Sequence, residues 1–309
     1  MSATVTGAPA SAGAELRRGS TAVRVALGPG APITAFVHDG NDWCRDGSWQ
    51  DHAPTRRACA LPTFVAGAAG AHFPDGGTLA TDEPIVEVRA DERGNMITVT
   101  WPASSYPLVW TRTLALEANG ALSVRYTVSN RQRAPLPFVW GMPLAMPWSE
   151  GLAIDLPRGA RARVAESWGD GLAPQGSEFA WPTLRDGGHL VDLARPSLLG
   201  PGRAVLCYVE LPRGRFSVRT PSGILDVRSD PGAVTHARIW INNGVDAPGS
   251  PPRRWWQRRT AVPSLAVGPA VGAPDLLSEA VGAWGAARWV EPGETLSWSI
   301  SIRVLPLEE

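Results

Sequence analysis

Alternation of apolar and polar residues constrains the fold of this chain more than any other feature of its sequence. Every second residue from Leu296 to Val304 is apolar, and serine or arginine fills the positions between them. The same alternation recurs over 122–128, 97–101 and 23–27. A period of two residues is typical of a strand with one buried face. The sequence therefore predicts a largely β fold.

Turn signals agree with this prediction. Asn119-Gly120 separates two strand-like runs, and this dipeptide readily adopts the positive φ angles of a tight hairpin. Helical periodicity is scarce, and its clearest example runs from Pro274 to Val281, with Asp275 near the helix start and Gly282 ending it. No linker or repeat divides the chain. We expect one domain over 19–309, preceded by a disordered tail over 1–18.

Composition excludes several classes of function. The 29 basic and 29 acidic residues balance, every basic residue is arginine, and the one dense basic run, 253–259, is short. These features argue against a nucleic-acid track. No apolar run approaches the roughly 18 residues of a membrane span, so no membrane partner is expected. Cys44, Cys59 and Cys207 lack metal-type spacing and are interpreted as reduced thiols of a cytoplasmic protein. No metal or other cofactor is predicted.

Four short segments carry a resemblance to a known family. Residues 136–146 read LPFVWGMPLAM, and further on the chain reads Gly268-Pro269, Pro274-Asp275 and, over 292–295, PGET. Their order resembles the galactose mutarotase-like (aldose 1-epimerase-like) superfamily over roughly residues 20 to 305. The resemblance implies an all-β supersandwich of largely antiparallel strands with few short helices. It also implies a small-molecule carbohydrate, or a sugar-like metabolite, bound in the concave sheet.

The resemblance also implies catalytic side chains that this sequence lacks. Relatives carry a histidine where alignment places Pro143 or Met142, a glutamate where Gly268 stands, and a further histidine at Gly76. Mutarotation moves one proton from the anomeric hydroxyl and another onto the ring oxygen, which requires an acid and a base. None of these four residues can transfer a proton. We therefore expect a carbohydrate-binding protein with a degenerate mutarotase site.

The remaining candidate site residues each have a structural alternative. A sugar packs its C–H face on an indole, and the resemblance brings Trp140, Trp240 and Trp49 towards the concave sheet, although core packing explains Trp140 and Trp240 equally well. His72 and Asp75, weak catalytic candidates, lie in a loop where relatives bind sugar, but a turn role accounts for both. Arg57 is a further ligand-binding candidate, or else part of a solvated turn.

Two other functions stay open at this point. A rearranged acid–base pair, such as His72 with Asp75, could make the chain an isomerase or epimerase of a sugar-like substrate. The Trp-rich face could instead form a non-catalytic protein-interaction domain.

Overall fold

Antiparallel strands make up most of the structure, a computed structural model that describes residues 2–5, 13–44, 63–65, 79, 82–91, 94–102, 107–245 and 263–307. The strands are β1 (Ser2–Val5), β2 (Gly13–Arg18), β3 (Thr21–Ala26), β4 (Ile33–His38), β5 (Asn41–Asp42), β6 (Thr63–Val65), β7 (Ile85–Asp91), β8 (Gly94–Trp101), β9 (Leu108–Leu116), β10 (Leu122–Asn130), β11 (Leu136–Gly141), β12 (Leu144–Met146), β13 (Ala153–Asp155), β14 (Arg161–Trp168), β15 (Glu178–Ala180), β16 (Thr183–Asp186), β17 (His189–Asp192), β18 (Arg203–Glu210), β19 (Arg215–Thr220), β20 (Gly223–Ser229), β21 (His236–Asn243), β22 (Ser264–Val271), β23 (Arg288–Val290) and β24 (Thr295–Leu305). A 3₁₀ turn spans Pro196–Leu198, and the helix α1 spans Leu277–Val281.

Two large sheets organise the described residues. The first sheet has the order β1-β7-β8-β9-β10-β24-β20-β19-β13. The second has the order β15-β14-β18-β21-β22-β11-β23, with β12 added to β22 and β6 to β11. Strands β2 to β5 form a separate four-stranded meander, and β16 pairs with β17. Within the ranges given above, no helix is long and apolar enough to cross a membrane.

One hydrophobic core joins the two large sheets. Trp110 of β9 meets Phe138 of β11 edge-on, with ring centroids 5.4 Å apart, and Tyr126 of β10 lies 4.5 Å from Trp140. Trp298 of β24 packs against all four rings. Aromatic residues at this density fill the thick space between two facing sheets. The structure therefore has the sandwich architecture that the alternation and the resemblance predict.

The strand and hairpin predictions are confirmed. Strand β24 buries Trp298, Ile300 and Ile302 on the core side, as its alternation predicts. Strands β9 and β10 form the predicted hairpin, and Gly120 in its turn has a φ of 77°. Glycine adopts this left-handed conformation without the steric cost that a Cβ atom would add.

Three expectations differ from the structure. The segment 1–18 contains strands β1 and β2, because Leu16 finds a buried place in the core once β2 pairs with β3. Helix α1 begins at Leu277, because Asp275 makes tertiary contacts instead of starting the helix. Cys44 is disulfide-bonded, whereas Cys207 is free and buried. Spacing along the sequence does not reveal which thiols meet in space.

Candidate functional site

The sequence-predicted site residues fall into two groups. His72, Asp75, Arg57 and Trp49 lie outside the described residues. Trp140 and Trp240 lie within them, on different sides of the second sheet.

Trp140 belongs to the core between the sheets. Its side chain is 2% exposed, and its ring lies 4.5 Å from Tyr126 and 5.3 Å from Trp298, measured between centroids. An indole enclosed in this way has no face to offer a ligand. Of the two alternatives that the sequence left open, the structure favours core packing for Trp140.

Trp240 lies on the opposite face of the second sheet, which we call the outer face because it is turned away from the core. Its neighbours Ile239 and Ile241 point into the core, and alternation turns Trp240 outward. Leu206 of β18 stands beside it in the cross-strand register. Trp168 packs edge-on against it at 5.0 Å between ring centroids. Together Trp168 and Trp240 form an aromatic pair on the outer face.

Next to the aromatic pair, the residues that stand side by side across β18 and β21 on the outer face form a polar row. Tyr208 pairs with Arg238 across β18 and β21, and Arg238 pairs in turn with Gly268 of β22. The Tyr208 hydroxyl donates a hydrogen bond to Asp275 Oδ1, and Arg238 Nε donates to Asp275 Oδ2 at 2.9 Å. Arg238 Nη2 forms an ion pair with the same Oδ2, also at 2.9 Å. We call Tyr208, Arg238 and Asp275 the Asp275 cluster. It lies two strand residues, or about 7 Å, from Trp240.

Burial and mutual contact fix the charges of the Asp275 cluster. Burial and the adjacent Asp275 carboxylate raise the pKa of Tyr208 well above its ordinary value, so the phenol stays protonated. Burial lowers the pKa of Arg238, but the contacts with Asp275 and Tyr208 outweigh burial and the net shift is upward. Arg238 is therefore cationic, and its charge faces a carboxylate whose side chain is 32% exposed.

A segment after β22 borders the same polar row. Trp284, just beyond α1, lies edge-on to Tyr208 at 5.8 Å and under the Arg163 guanidinium at 4.3 Å from its ring centroid. Arg163 Nη1 also donates to the carbonyl oxygen of Ala283 at 3.3 Å. The segment 272–287 thus brings Asp275 and a second indole to the outer face, and it holds Arg163 against that indole by a cation–π contact.

His236 stands beside the Asp275 cluster, although the sequence suggested no partner for it. Its ring lies edge-on to Tyr208 at 6.3 Å, and its Nδ1 is 2.8 Å from the Thr235 hydroxyl. Burial, with a smaller contribution from the positive charge of Arg161, lowers the pKa of His236 to about 4. The imidazole is therefore neutral at pH 7 and can donate or accept a hydrogen bond, but not both from one nitrogen.

Gly268 lies where the resemblance implies a glutamate, and the chain crosses directly over it. A Cβ atom at this position would lie 1.9 Å from the carbonyl oxygen of Met142 and 2.8 Å from the Cα of Pro143. The crossing backbone is held in place, because Met142 N donates to Pro269 O at 3.0 Å. Met142 turns its sulfur into the core, 3.5 Å from the Tyr126 hydroxyl. No longer side chain fits at 268 in this backbone arrangement.

Other polar features lie elsewhere. Asp226 and Arg228 belong to the first sheet, where Asp226 is buried and accepts from Arg228 and Arg215 at 2.8 Å each. A cavity of about 320 Å³ is bordered by residues 171–188, and a cavity of about 180 Å³ by Phe138 and Trp298 among others. The part of the chain that the structure describes contains no group of His, Cys, Asp and Glu suited to a metal ion.

Sequence reasoning missed most of the outer face. A usable signal lay in the alternation along two strands, because a strand residue whose two sequence neighbours point into the core must itself point away from it. Applied to β18 and β21, this rule marks Tyr208, Arg238 and Trp240. The rule does not reach Asp275 and Trp284, which come from an irregular segment. The outer-face residues that the sequence left unassigned are Tyr208, Arg238, Asp275, Trp168, Trp284, Arg163 and His236.

Comparison with solved structures identifies the fold. No protein-family model matches the sequence, and no curated protein matches it either. Solved structures do match, over nearly the whole chain. One, from Escherichia coli K12, is provisionally assigned as an aldose 1-epimerase; it is 19% identical, with a TM-score of 0.67, over 96% of this chain and 99% of that one.

Two further structures agree. A galactose mutarotase-like protein from Lactobacillus casei is 16% identical, with a TM-score of 0.64, over 95% of this chain and 100% of the other. A galactose mutarotase related enzyme from Lactobacillus acidophilus is 15% identical, with a TM-score of 0.62, over 95% and 97% of the two chains. The chain therefore has the galactose mutarotase-like fold.

Proposed function

We propose that this protein binds a carbohydrate on the outer face of the second sheet, between the Trp168–Trp240 pair and the Asp275 cluster. The observation that carries the proposal is their placement in adjacent rows of one face, an aromatic pair beside a fixed carboxylate. The similarity to aldose 1-epimerase and galactose mutarotase-like structures supports a sugar-related ligand. Fold alone does not assign a ligand, so the side chains must carry the argument.

The two rows match the two chemical faces of a sugar. Indole rings bury the apolar C–H face of a pyranose, and polar groups nearby replace the water around its hydroxyls. Trp168 and Trp284 are partly exposed, and Trp240, which packs edge-on against Trp168, is 9% exposed. Asp275 is held by two hydrogen bonds and an ion pair before any ligand arrives. A carboxylate fixed in this way loses little conformational entropy on binding.

We further propose that the protein binds its sugar without the acid–base chemistry of a mutarotase. Gly268 supplies no carboxylate, and the Met142 carbonyl occupies the space that a side chain at 268 would need. Met142 points its sulfur into the core, and Pro143 has no group that titrates. These facts support the interpretation of a degenerate site.

Calorimetry tests the proposed binding. We expect wild-type protein to bind at least one member of a panel containing glucose, galactose, mannose and xylose. Trp240→Ala should weaken that binding at least about 10-fold, because it removes the indole against which Trp168 packs and so breaks up the aromatic pair on which the sugar rests. Trp289→Ala is the matched control, since Trp289 is 47% exposed on β23 and outside both rows. It should leave the affinity unchanged.

Folding must be separated from binding in this test. Thermal unfolding of each variant checks that the protein is intact, and Trp168→Ala repeats the measurement if Trp240→Ala is unstable. The absence of heat for every sugar and every sugar derivative tested would overturn the proposed function. Equal losses in Trp240→Ala and Trp289→Ala would place the binding site elsewhere.

A further inference from the structure

The Asp275 cluster limits the kind of group that can approach it. Asp275 Oδ2 accepts the Nε–H group of Arg238 and forms an ion pair with Nη2, and Oδ1 accepts the Tyr208 hydroxyl. A carboxylate has about four acceptor positions; the Arg238 guanidinium covers Oδ2, so the position open to a further donor is on Oδ1. Because an ionised carboxylate only accepts, the incoming group must donate a hydrogen bond.

The exposed part of the cluster is also its negative part. The Asp275 side chain is 32% exposed, whereas that of Arg238 is 14% exposed and that of Tyr208 is buried. Arg238 therefore neutralises the carboxylate from behind and presents little positive charge to solvent. A phosphoryl or carboxylate group would bring a second negative charge against Asp275, and like charges repel.

Within the part of the chain that the structure describes, the cations near the cluster do not reverse this field. Arg161 forms ion pairs with Glu178 at 3.0 Å and with Glu210 at 3.8 Å. Arg163 rests on the Trp284 ring and donates to a backbone carbonyl, so its guanidinium is directed to the segment 272–287. His236 carries no charge at pH 7, because burial lowers its pKa to about 4.

We infer that the outer-face site selects an uncharged sugar through a free hydroxyl that donates a hydrogen bond to Asp275, and that it discriminates against phosphorylated and uronic acid sugars. The inference rests on the proposed function and adds to it the class of ligand. Specificity of this kind arises as much from the repulsion of the wrong ligand as from the attraction of the right one.

Paired ligands test the inference on the intact protein. Calorimetry at pH 7 compares glucose with glucose 6-phosphate and glucuronate, and galactose with galactose 6-phosphate and galacturonate. The neutral member of each pair should bind at least about 10-fold more tightly. The same comparison is made with monodeoxy and mono-O-methyl derivatives of the neutral sugar that binds most tightly. At one hydroxyl position, both changes should lower the affinity at least about 10-fold, because neither derivative can donate a hydrogen bond there.

Two variants connect the selectivity with the cluster. Asp275→Asn removes the negative charge and keeps the shape of the side chain. It should therefore lower the affinity for the neutral sugar and reduce the ratio of that affinity to the affinity for the phosphorylated sugar. Tyr208→Phe removes the hydroxyl that occupies Oδ1 but leaves the carboxylate, so the preference for neutral sugars should persist. If Asp275→Asn does not fold, the wild-type ligand pairs and Tyr208→Phe still decide the matter.

The outcomes separate the two proposals. Binding of the phosphorylated or uronic acid sugar as tightly as its neutral partner overturns this inference but leaves sugar binding in place. Unchanged selectivity in a folded Asp275→Asn protein also overturns it. If no ligand of either kind binds, the proposed function fails and this inference fails with it.

Discussion

At the scale of single residues, burial and contacts with neighbouring groups together determine which groups on the outer face keep their charge. His236 stands in the cross-strand register with Glu210 and faces the Tyr208 ring. Its imidazole is partly buried, and taking a charged ring out of water is unfavourable unless a partner compensates. The nearby Arg161 is itself positive and opposes protonation. The fold therefore keeps His236 neutral.

This neutral histidine makes stability depend on pH. The pKa of His236 is about 4 in the folded chain and near 6.5 when unfolded, so the unfolded state binds more protons between these values. Stability is then fully present above about pH 6.5 and is lost as the pH falls towards 4. We expect this group to contribute up to about 3 kcal/mol, reduced by the partial exposure of the ring.

Urea denaturation between pH 4 and 7.5 measures the effect. Carboxylates also titrate in this range, so wild type is compared with His236→Asn. The free energy of unfolding should change less steeply with pH in this variant than in wild type. His189→Asn changes an exposed histidine and should keep the wild-type slope. Identical slopes in all three proteins would show that His236 does not titrate differently in the folded state.

Trp140 and Trp240 show how far residue-level prediction reaches. In the sequence, a binding explanation and a packing explanation have equal weight for both tryptophans. The structure separates them by the face of the sheet, since Trp140 meets Tyr126 whereas Trp240 meets Trp168. Which face a strand turns inward depends on its partners, and a one-residue shift in register exchanges the two faces.

At the scale of elements, periodicity predicts strands well where one face is buried. The alternation of β10 and β24 was visible in the sequence because the core imposes it. Helix α1 was shorter than predicted, because Asp275 reaches back to Tyr208 and Arg238 on distant strands. Such contacts depend on tertiary structure and leave no local pattern.

Strand β2 supplies a prediction at this scale. Leu16 is 1% exposed in the main core, so Leu16→Ala should lower the free energy of unfolding by about 2–5 kcal/mol. Arg17→Ala, at the next residue, removes an exposed ion pair with Glu15 and should cost no more than about 1 kcal/mol. Chemical denaturation of both variants measures the difference. If the segment were a disordered tail, neither change would alter stability.

At the scale of the whole molecule, short sequence motifs are enough to indicate the fold, whereas the candidate site is assembled from residues far apart in the sequence. Short motifs in the right order resembled the galactose mutarotase-like superfamily, and the solved structures have the same fold. The candidate site combines Trp168, Tyr208, Arg238, Trp240 and Asp275 from three strands and an irregular segment. Its composition depends on the register of those strands together, which no single stretch of sequence contains.

The crossing of the chain over Gly268 gives a prediction about the mutarotase activity of the protein. We expect wild-type protein not to accelerate the mutarotation of glucose or galactose in polarimetry, because Gly268, Met142 and Pro143 provide no acid–base pair. Gly268→Glu should not restore activity. Its Cβ atom would lie 1.9 Å from the Met142 carbonyl oxygen, so we expect it instead to lower the free energy of unfolding by about 3 kcal/mol or more.

Gly28→Glu is the matched control for this substitution, since a Cβ atom at 28 meets no other atom within 4 Å. It should change stability by less than about 1 kcal/mol, as surface substitutions usually do. Acceleration by the wild-type protein would contradict the degenerate site and would direct attention to His236 and Tyr208 as a rearranged pair. Acceleration by a stable Gly268→Glu protein would instead show that the Met142 crossing moves aside, and that the fold retains room for the lost carboxylate.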